Sequence, residues 1–139
     1  MNPPPLLDAK NLRKSFPVPV GGIRLAVDNV SLQLLPGETL ALVGESGCGK
    51  TTLARLLLRL LDADAGEIHF AGKNLLAARG RELRALRGEM QMVFQDPFAS
   101  LDPRQRVASI VGEPLAIHEP QLSGDERGSR VRETLQAVG

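Results

Sequence analysis

A glycine-rich stretch in the first half of the chain has the residue types needed to hold phosphate. Gly44 to Thr51 reads GESGCGKT and satisfies the pattern G-x-x-x-x-G-K-[ST]. Glycines let the backbone turn tightly, so that successive N–H groups converge on phosphate oxygens at a helix N-terminus. The predicted binding set comprises Gly44, Glu45, Ser46, Gly47, Cys48, Gly49, Lys50, Thr51 and Thr52.

Three side chains of this stretch have separate expected tasks. Lys50 should reach the β- and γ-phosphates of a nucleotide, and the Thr51 hydroxyl is a predicted Mg²⁺ ligand. Thr52 is expected to cap the helix or to touch the α-phosphate. The chain has one cysteine, Cys48, and its place before a helix suggests a redox role as one interpretation. We favour the alternative, a small residue that fits a tight loop, because no second cysteine exists to pair with it.

Composition indicates a soluble globular domain. The chain has 139 residues, 42% hydrophobic and 24% charged, with a net charge of +1, so nucleic acid is not an expected partner. Its first residues lack the pattern of a signal peptide, and the apolar run from Leu56 to Leu61 is interrupted by Arg59. That run is far shorter than the ~20 residues of a membrane span. The single cysteine agrees with a reducing compartment, and we expect a cytoplasmic protein.

The loop requires a strand before it and a helix after it, and the sequence predicts both. Thr39 to Val43 is nearly all apolar, as in a strand covered on both faces. Gly49 to Leu61 is crowded with apolar residues and predicts a mostly buried helix. Two earlier strands are predicted over Leu6 to Phe16 and around Val30 to Leu34, with a loop at Pro17 to Gly22 between them.

Further elements are predicted after the helix. Ile68 and Phe70 should share one side of a strand that ends at Gly72. The next predictions are a basic helix over Arg79 to Met90 and a strand over Met90 to Pro97. A helix is predicted over Arg106 to His118, weakened at Gly112 to Pro114. A final helix should begin with Ser123 and Glu126 as a capping box, because Val131, Leu135 and Val138 follow at helical spacing.

Two long runs resemble a known family. Ala26 to Leu76 and Met90 to Arg104, which includes MQMVFQDPFASLDPR, are similar to the nucleotide-binding subunit of ATP-binding cassette (ABC) transporters. Within that family, VFQDPFASLDPR, the loop near Pro17 and EPLAIH resemble the dipeptide, oligopeptide and nickel import ATPases. The resemblance extends from Leu6 to Gly139. It implies an α/β P-loop NTPase fold that is truncated. Residues 1–95 would form an antiparallel β subdomain, the Walker A strand and helix, and the Q-loop strand. Residues 96–139 would form the start of a helical subdomain.

The resemblance also assigns roles. Gly44 to Thr52 match the Walker A loop for ATP, and Gln95 matches the Q-loop glutamine, which contacts Mg²⁺ or the attacking water. Phe16 stands where the family has an aromatic residue that stacks on adenine, although core packing explains it equally well. Asp96 to Arg104 would face the transmembrane permease on the cytoplasmic side of the membrane, and a second ATP-binding subunit would complete the ATPase dimer.

Other family motifs have no match in these 139 residues. Leu122 to Gly124 imitates the Leu-Ser-Gly-Gly-Gln signature and then departs from it, and Leu56 to Asp62 continues a helix and is not a Walker B strand. Neither His69 nor His118 has the position of the switch histidine. We therefore expect an N-terminal fragment of a peptide-import ATPase that binds Mg-ATP weakly or not at all and does not hydrolyse it.

Two alternatives stay open at this stage, and one structural consequence follows. The chain could be a non-catalytic module that binds nucleotide or docks on the permease. A small-molecule kinase is disfavoured, because the sequence has no visible Asp or Arg constellation for an acceptor. In this family the strands that flank the P-loop strand come from later sequence, so Thr39 to Val43 is expected to have unpaired apolar edges.

Overall fold

The computed structural model describes residues 3–19, 21–94 and 101–139. Within that part the chain forms two compact units, Met1–Met90 and Gln91–Gly139. The first unit contains β1 (Leu7–Val18), β2 (Gly22–Leu34), α1 (Lys50–Leu57), β3 (Ala65–Phe70), β4 (Lys73–Asn74) and α2 (Gly80–Gly88). The second contains α3 (Val107–His118) and α4 (Gly124–Val138). None of the helices in the described ranges is long and apolar enough to cross a bilayer.

The strands form one antiparallel sheet in the order β2-β1-β3-β4. Strands β1 and β2 make a long hairpin whose pairing runs from Leu7 opposite Leu34 to Val18 opposite Gly22. The predicted loop at Pro17 to Gly22 is therefore too long, because β1 continues to Val18. Pro17 is tolerated there because β3 pairs with β1 only as far as Arg13, so none of the described strands pairs with that edge of β1 at the proline.

Apolar side chains from the sheet and both helices make the core of the first unit. Leu12 and Ile68 from the sheet, Leu56 of α1, Leu86 of α2 and Leu75 are fully buried. Burial of each such side chain contributes about 1.5 to 3 kcal/mol. The shared side of Ile68 and Phe70 is confirmed, since both are buried while the intervening residue is only half-buried.

The strand predicted before the loop does not form in this chain. Residues 39–43 pair with none of the strands in the described sheet, and Val43 is 93% exposed. A fully apolar strand needs strands that form hydrogen bonds with both of its edges. The four described strands pair with one another in an antiparallel sheet, and none of them pairs with this segment. The strand predicted from Met90 also does not form over its described residues, where Val93 is 91% exposed.

Helix α1 is shorter and less buried than predicted. It begins at Lys50 and ends at Leu57, and only Leu53 and Leu56 of its residues are buried. Arg59 stops the helix, because its φ of +55° is left-handed. Its backbone oxygen accepts a hydrogen bond from Arg87 Nη2 at 2.6 Å, and its guanidinium pairs with Asp62.

The second unit confirms the capping box and corrects the prediction for the preceding helix. Ser123 Oγ accepts from the Glu126 N–H at 3.3 Å, and the Ser123 N–H donates to Glu126 Oε2 at 2.9 Å. Helix α3 continues through Pro114, although proline removes one helical hydrogen bond. Buried Gly112 packs closely on α4, because a Cβ at that position would lie 3.4 Å from Val131 Cγ2.

Candidate phosphate-binding site

The loop that precedes α1 depends on glycine at two positions. Gly47 has a φ of +80° and Gly49 a φ of +101°, both in the region that side chains rarely adopt. Gly49 also lies against β2, because a Cβ there would be 2.2 Å from the backbone oxygen of Ala26. Inside the loop, the Cys48 N–H donates to the Glu45 oxygen at 3.3 Å. The backbone is thereby folded into a tight turn directly before the helix.

Lys50 closes this turn from the helix side. Its Nζ donates to the Gly44 oxygen at 2.6 Å and to the Glu45 oxygen at 2.7 Å. The ammonium group therefore lies over the start of the loop, and its binding to phosphate stays a prediction.

The N-terminus of α1 is a favourable place for an anion. Gly49 precedes the helix and has no side chain that could cap it, and the first turn contains no acidic residue. The first bond back to the loop is made by the Leu53 N–H to the Gly49 oxygen at 2.8 Å. The N–H groups of Lys50, Thr51 and Thr52 consequently have no intrahelical partner, and the helix dipole adds partial positive charge there.

Thr51 and Cys48 differ in what they can do at this site. Thr51 is exposed in the first turn, so its hydroxyl is accessible to a metal ion that is also bound by phosphate. The described residues contain no group of three His, Cys, Asp or Glu side chains that could hold a metal ion by themselves. The Cys48 Sγ lies over Gly44, where a Cβ would be only 2.8 Å from it, and Cys48 itself is exposed, so its role as a small residue in a tight loop stays a prediction.

Phe16 is placed by the hairpin and not by the core. It is 38% exposed, and the strand register sets it opposite Arg24. Lys14 Nζ lies 5.7 Å from the centre of the Phe16 ring and is bound to Asp64 Oδ1 at 2.7 Å. An accessible aromatic ring on a fixed hairpin is suited to stacking against a flat group, although its stacking on adenine stays a prediction.

Asp64 holds Lys14 and Ser15 of β1 in place beside Phe16. Its Oδ2 accepts hydrogen bonds from the Ser15 N–H at 2.7 Å and from Ser15 Oγ at 2.6 Å. The hydrogen bond from Lys14, followed by these two bonds from Ser15, lowers the pKa of Asp64 from its ordinary 3.8 to about 2. Asp64 therefore stays ionised and holds Lys14 beside the ring.

Arg24 connects the hairpin to the phosphate loop and was missed by the sequence analysis. Its Nη2 donates to the Gly47 oxygen at 3.2 Å. The signal that could have found it is its cross-strand position opposite Phe16, which becomes visible only when the hairpin register is known. The structure thus brings Phe16, Arg24 and the loop together on one side of the first unit.

A cavity of about 240 Å³ lies beside the loop. It is lined by Ala26, Val27, Asp28, Val30, Leu42, Val43, Cys48, Gly49, Lys50 and Leu53. A larger open cleft of about 880 Å³ lies at the bulge of β1, where Lys10, Arg13, Asp28 and Glu67 bring charges of both signs. The smaller cavity is the better candidate, because it borders the ammonium group and the helix N-terminus.

The structure describes the other predicted residues only in part. Gln95 and residues 96–100 of the predicted permease-facing segment lie outside the described residues. In the rest of that segment, Asp102 Oδ1 accepts from the Arg104 N–H at 3.0 Å and Nε at 3.1 Å, which lowers the pKa of Asp102. His69 lies within β3 and His118 ends α3, and the Leu122 to Gly124 stretch is the start of a capped helix.

Comparison with known proteins identifies the family. Residues 27–139 match the ABC transporter family model. Over 135 residues the chain is 47% identical to the oligopeptide transport ATP-binding protein OppF of Bacillus subtilis, covering 96% of this chain and 44% of that protein. It is 45% identical to the glutathione import ATP-binding protein GsiA of Escherichia coli K12, covering 97% of this chain and 22% of the relative. The chain thus spans less than half the length of these relatives.

Solved structures give the same result for the fold. A dimeric, post-hydrolysis structure of the ATP-binding cassette MJ0796 with ADP and phosphate has a TM-score of 0.77 and 27% identity to this chain. It is matched over 94% of this chain and 56% of that one. The predicted α/β P-loop NTPase fold class is confirmed. Motif, fold and matched residues together show that the chain belongs to the ABC transporter family of ATP-binding proteins.

Proposed function

We propose that this chain supplies the phosphate-binding part of the ATP site of a peptide-type ABC importer. The observation that carries the proposal is the Gly44 to Thr51 loop, folded at the N-terminus of α1 with Lys50 Nζ over its first carbonyls. The relatives support the transport class, since their names are oligopeptide transport and glutathione import ATP-binding proteins. The whole protein would couple ATP binding and hydrolysis to solute import.

The described residues suggest how the chain would hold ATP. Lys50 would exchange its two carbonyl partners for the β- and γ-phosphate oxygens, and the N–H groups of Thr51 and Thr52 would bind further oxygens. The Thr51 hydroxyl would hold Mg²⁺, and the ion would neutralise charge on the phosphates. Phe16 would stack on adenine, and Gln95 would contribute to the metal shell or orient water.

We expect this ATP binding to be weak. The ammonium group must leave two carbonyl oxygens at 2.6 and 2.7 Å before it can bind phosphate, and that exchange offsets part of the gain. The apolar segment 39–43, which leads into the loop, is not held in a sheet. Ordering this segment on binding would cost part of the binding free energy.

Hydrolysis by this chain alone is not expected. The 139 residues contain no match to the signature, the Walker B carboxylates or the switch histidine, and these groups orient the water and complete the metal shell in the family. In the whole protein a second ATP-binding subunit would supply the signature. Residues 96–104 would contact the permease at the cytoplasmic face of the membrane.

Titration of the chain with Mg-ATP tests the proposal. Isothermal titration calorimetry should detect weak binding by the natural sequence and its loss in Lys50→Ala. Lys73→Ala, which removes an exposed lysine at the sheet edge, is the matched control and should bind as the natural sequence does. Equal heats from the natural chain and from Lys50→Ala would contradict the proposal.

A further inference from the structure

We propose that Arg24 is a positioning residue that couples recognition of the base to recognition of the phosphates. It would do so by tying the β1–β2 hairpin, which carries Phe16, to the phosphate loop. The inference rests on the proposed function, because it assigns a role within the same site. Arg24 lies outside the G-x-x-x-x-G-K-[ST] motif, twenty residues before its first residue, Gly44.

Strand β2 contacts the loop at two points. Arg24 Nη2 donates to the Gly47 oxygen at 3.2 Å, and the Ala26 oxygen lies against Gly49 so closely that a Cβ would be 2.2 Å from it. Arg24 and Ala26 are two residues apart, so both contacts come from the same short stretch of β2. The contact at Ala26 is fixed by backbone shape, whereas the contact at Gly47 depends on one side chain.

Arg24 also lies opposite Phe16, the ring that would stack on adenine. Phe16 and Arg24 are register partners in the antiparallel pair, so their side chains project from the same side of the hairpin. The ring is also approached by Lys14, whose Nζ lies 5.7 Å from the ring centre and is bound by Asp64. The only side-chain hydrogen bond from this end of the hairpin to the loop, among the described residues, is that of Arg24.

The charge of Arg24 also favours phosphate. The ion pairs found among the described residues do not include Arg24, whereas Arg13 on the same hairpin pairs with Asp28 at 2.8 Å. A guanidinium has five N–H donors, and the Gly47 oxygen uses one of them. Arg24 therefore adds positive charge beside the loop in addition to fixing its distance from Phe16.

Hydrogen exchange of the loop tests the tie without any ligand. In Arg24→Gln, amide exchange in peptides that cover residues 44–51 should rise about two- to tenfold, as expected for loss of one hydrogen bond. Exchange in β3 should not change. Arg13→Gln, which makes the same charge change on the same hairpin, is the matched control and should leave the loop unaffected. Unchanged loop exchange in Arg24→Gln would overturn the proposal.

Ligand selectivity distinguishes positioning from simple charge. Because tripolyphosphate has no base, Arg24→Gln should weaken ATP binding several-fold more than tripolyphosphate binding. The excess loss should disappear in a Phe16→Ala background, and Arg24→Lys should restore tripolyphosphate affinity but not the preference for ATP. Equal losses for the two ligands, or losses that simply add to that of Phe16→Ala, would overturn the coupling.

The two experiments also separate this inference from the proposed function. If the natural chain bound neither ligand in a Lys50-dependent way, the proposed function would fail and the coupling with it. The exchange measurement would then still decide whether Arg24 holds the loop. If binding depended on Lys50 but loop exchange did not depend on Arg24, only the inference about Arg24 would fail.

Discussion

Replacement of Gly49 by alanine is the sharpest test of how the phosphate loop is built. A side chain at the observed φ of +101° costs about 1 to 3 kcal/mol in backbone strain. The new Cβ would also lie 2.2 Å from the Ala26 oxygen, so β2 or the loop must move, at a further cost of about 1 to 3 kcal/mol. We expect a total loss of about 2 to 6 kcal/mol, against an ordinary domain stability of about 5 to 15 kcal/mol.

Gly37→Ala provides a control that separates the two costs. Gly37 also has a positive φ, of +76°, but a Cβ there would meet no atom within 4 Å. Gly37→Ala should therefore show the backbone strain without a steric clash. The difference between the two losses in stability then measures the contact of Gly49 with β2. At a slope of about 2 kcal/mol per M, a difference of 2 kcal/mol would lower the urea midpoint by about 1 M.

Urea unfolding should be followed by circular dichroism, because the chain has no tryptophan or tyrosine to report by fluorescence. Gly49→Ala should unfold at clearly lower urea than Gly37→Ala. If Gly49→Ala were no less stable than Gly37→Ala, the loop would not be packed on β2 as described. The account of the site would then lose its structural basis.

Three further perturbations test other parts of the structure. Asp64→Asn should remove stability that the natural chain has above pH 3.8 and loses as the pH falls toward about 2, since the pKa of Asp64 is lowered in the fold. Stabilities of the two proteins should therefore differ fully above pH 3.8, converge between pH 3.8 and about 2, and coincide below that; identical stabilities throughout would contradict the Asp64 contacts. Ser123→Ala should cost about 1 kcal/mol through loss of the cap of α4, measurable as a lower urea midpoint; a midpoint equal to that of the natural chain would speak against the capping box. Val43→Lys should reduce concentration-dependent association in sedimentation velocity, because Val43 is 93% exposed in an apolar segment. Undiminished association would show that the chain associates through another surface.

Local patterns in the sequence predicted the parts of the fold that depend on nearby residues. Alternation around Val30 and around Ile68 predicted strands, and Ser123 with Glu126 predicted the start of α4, because each signal acts within a few residues. The P-loop spacing likewise predicted the loop and the helix after it. These predictions needed no knowledge of which elements become neighbours.

The failures concern features that depend on distant partners. Thr39 to Val43 has the composition of a buried strand, but a strand forms only where other strands pair with its edges. The end of α1 is set by the left-handed Arg59, which the sequence pattern does not show. Arg24 and Asp64 act through the hairpin register and through contacts across at least 23 residues of chain, so no local motif could reveal them.

The most direct test of the central claim is an NMR titration of the ¹⁵N-labelled chain with Mg-ATP. The claim predicts that the backbone N–H signals of Gly47, Gly49, Lys50, Thr51 and Thr52 shift together. It also predicts that the same titration of Lys50→Ala leaves those signals in place. Shifts confined to other residues, or the same shifts in Lys50→Ala, would contradict the claim that this loop binds the phosphates.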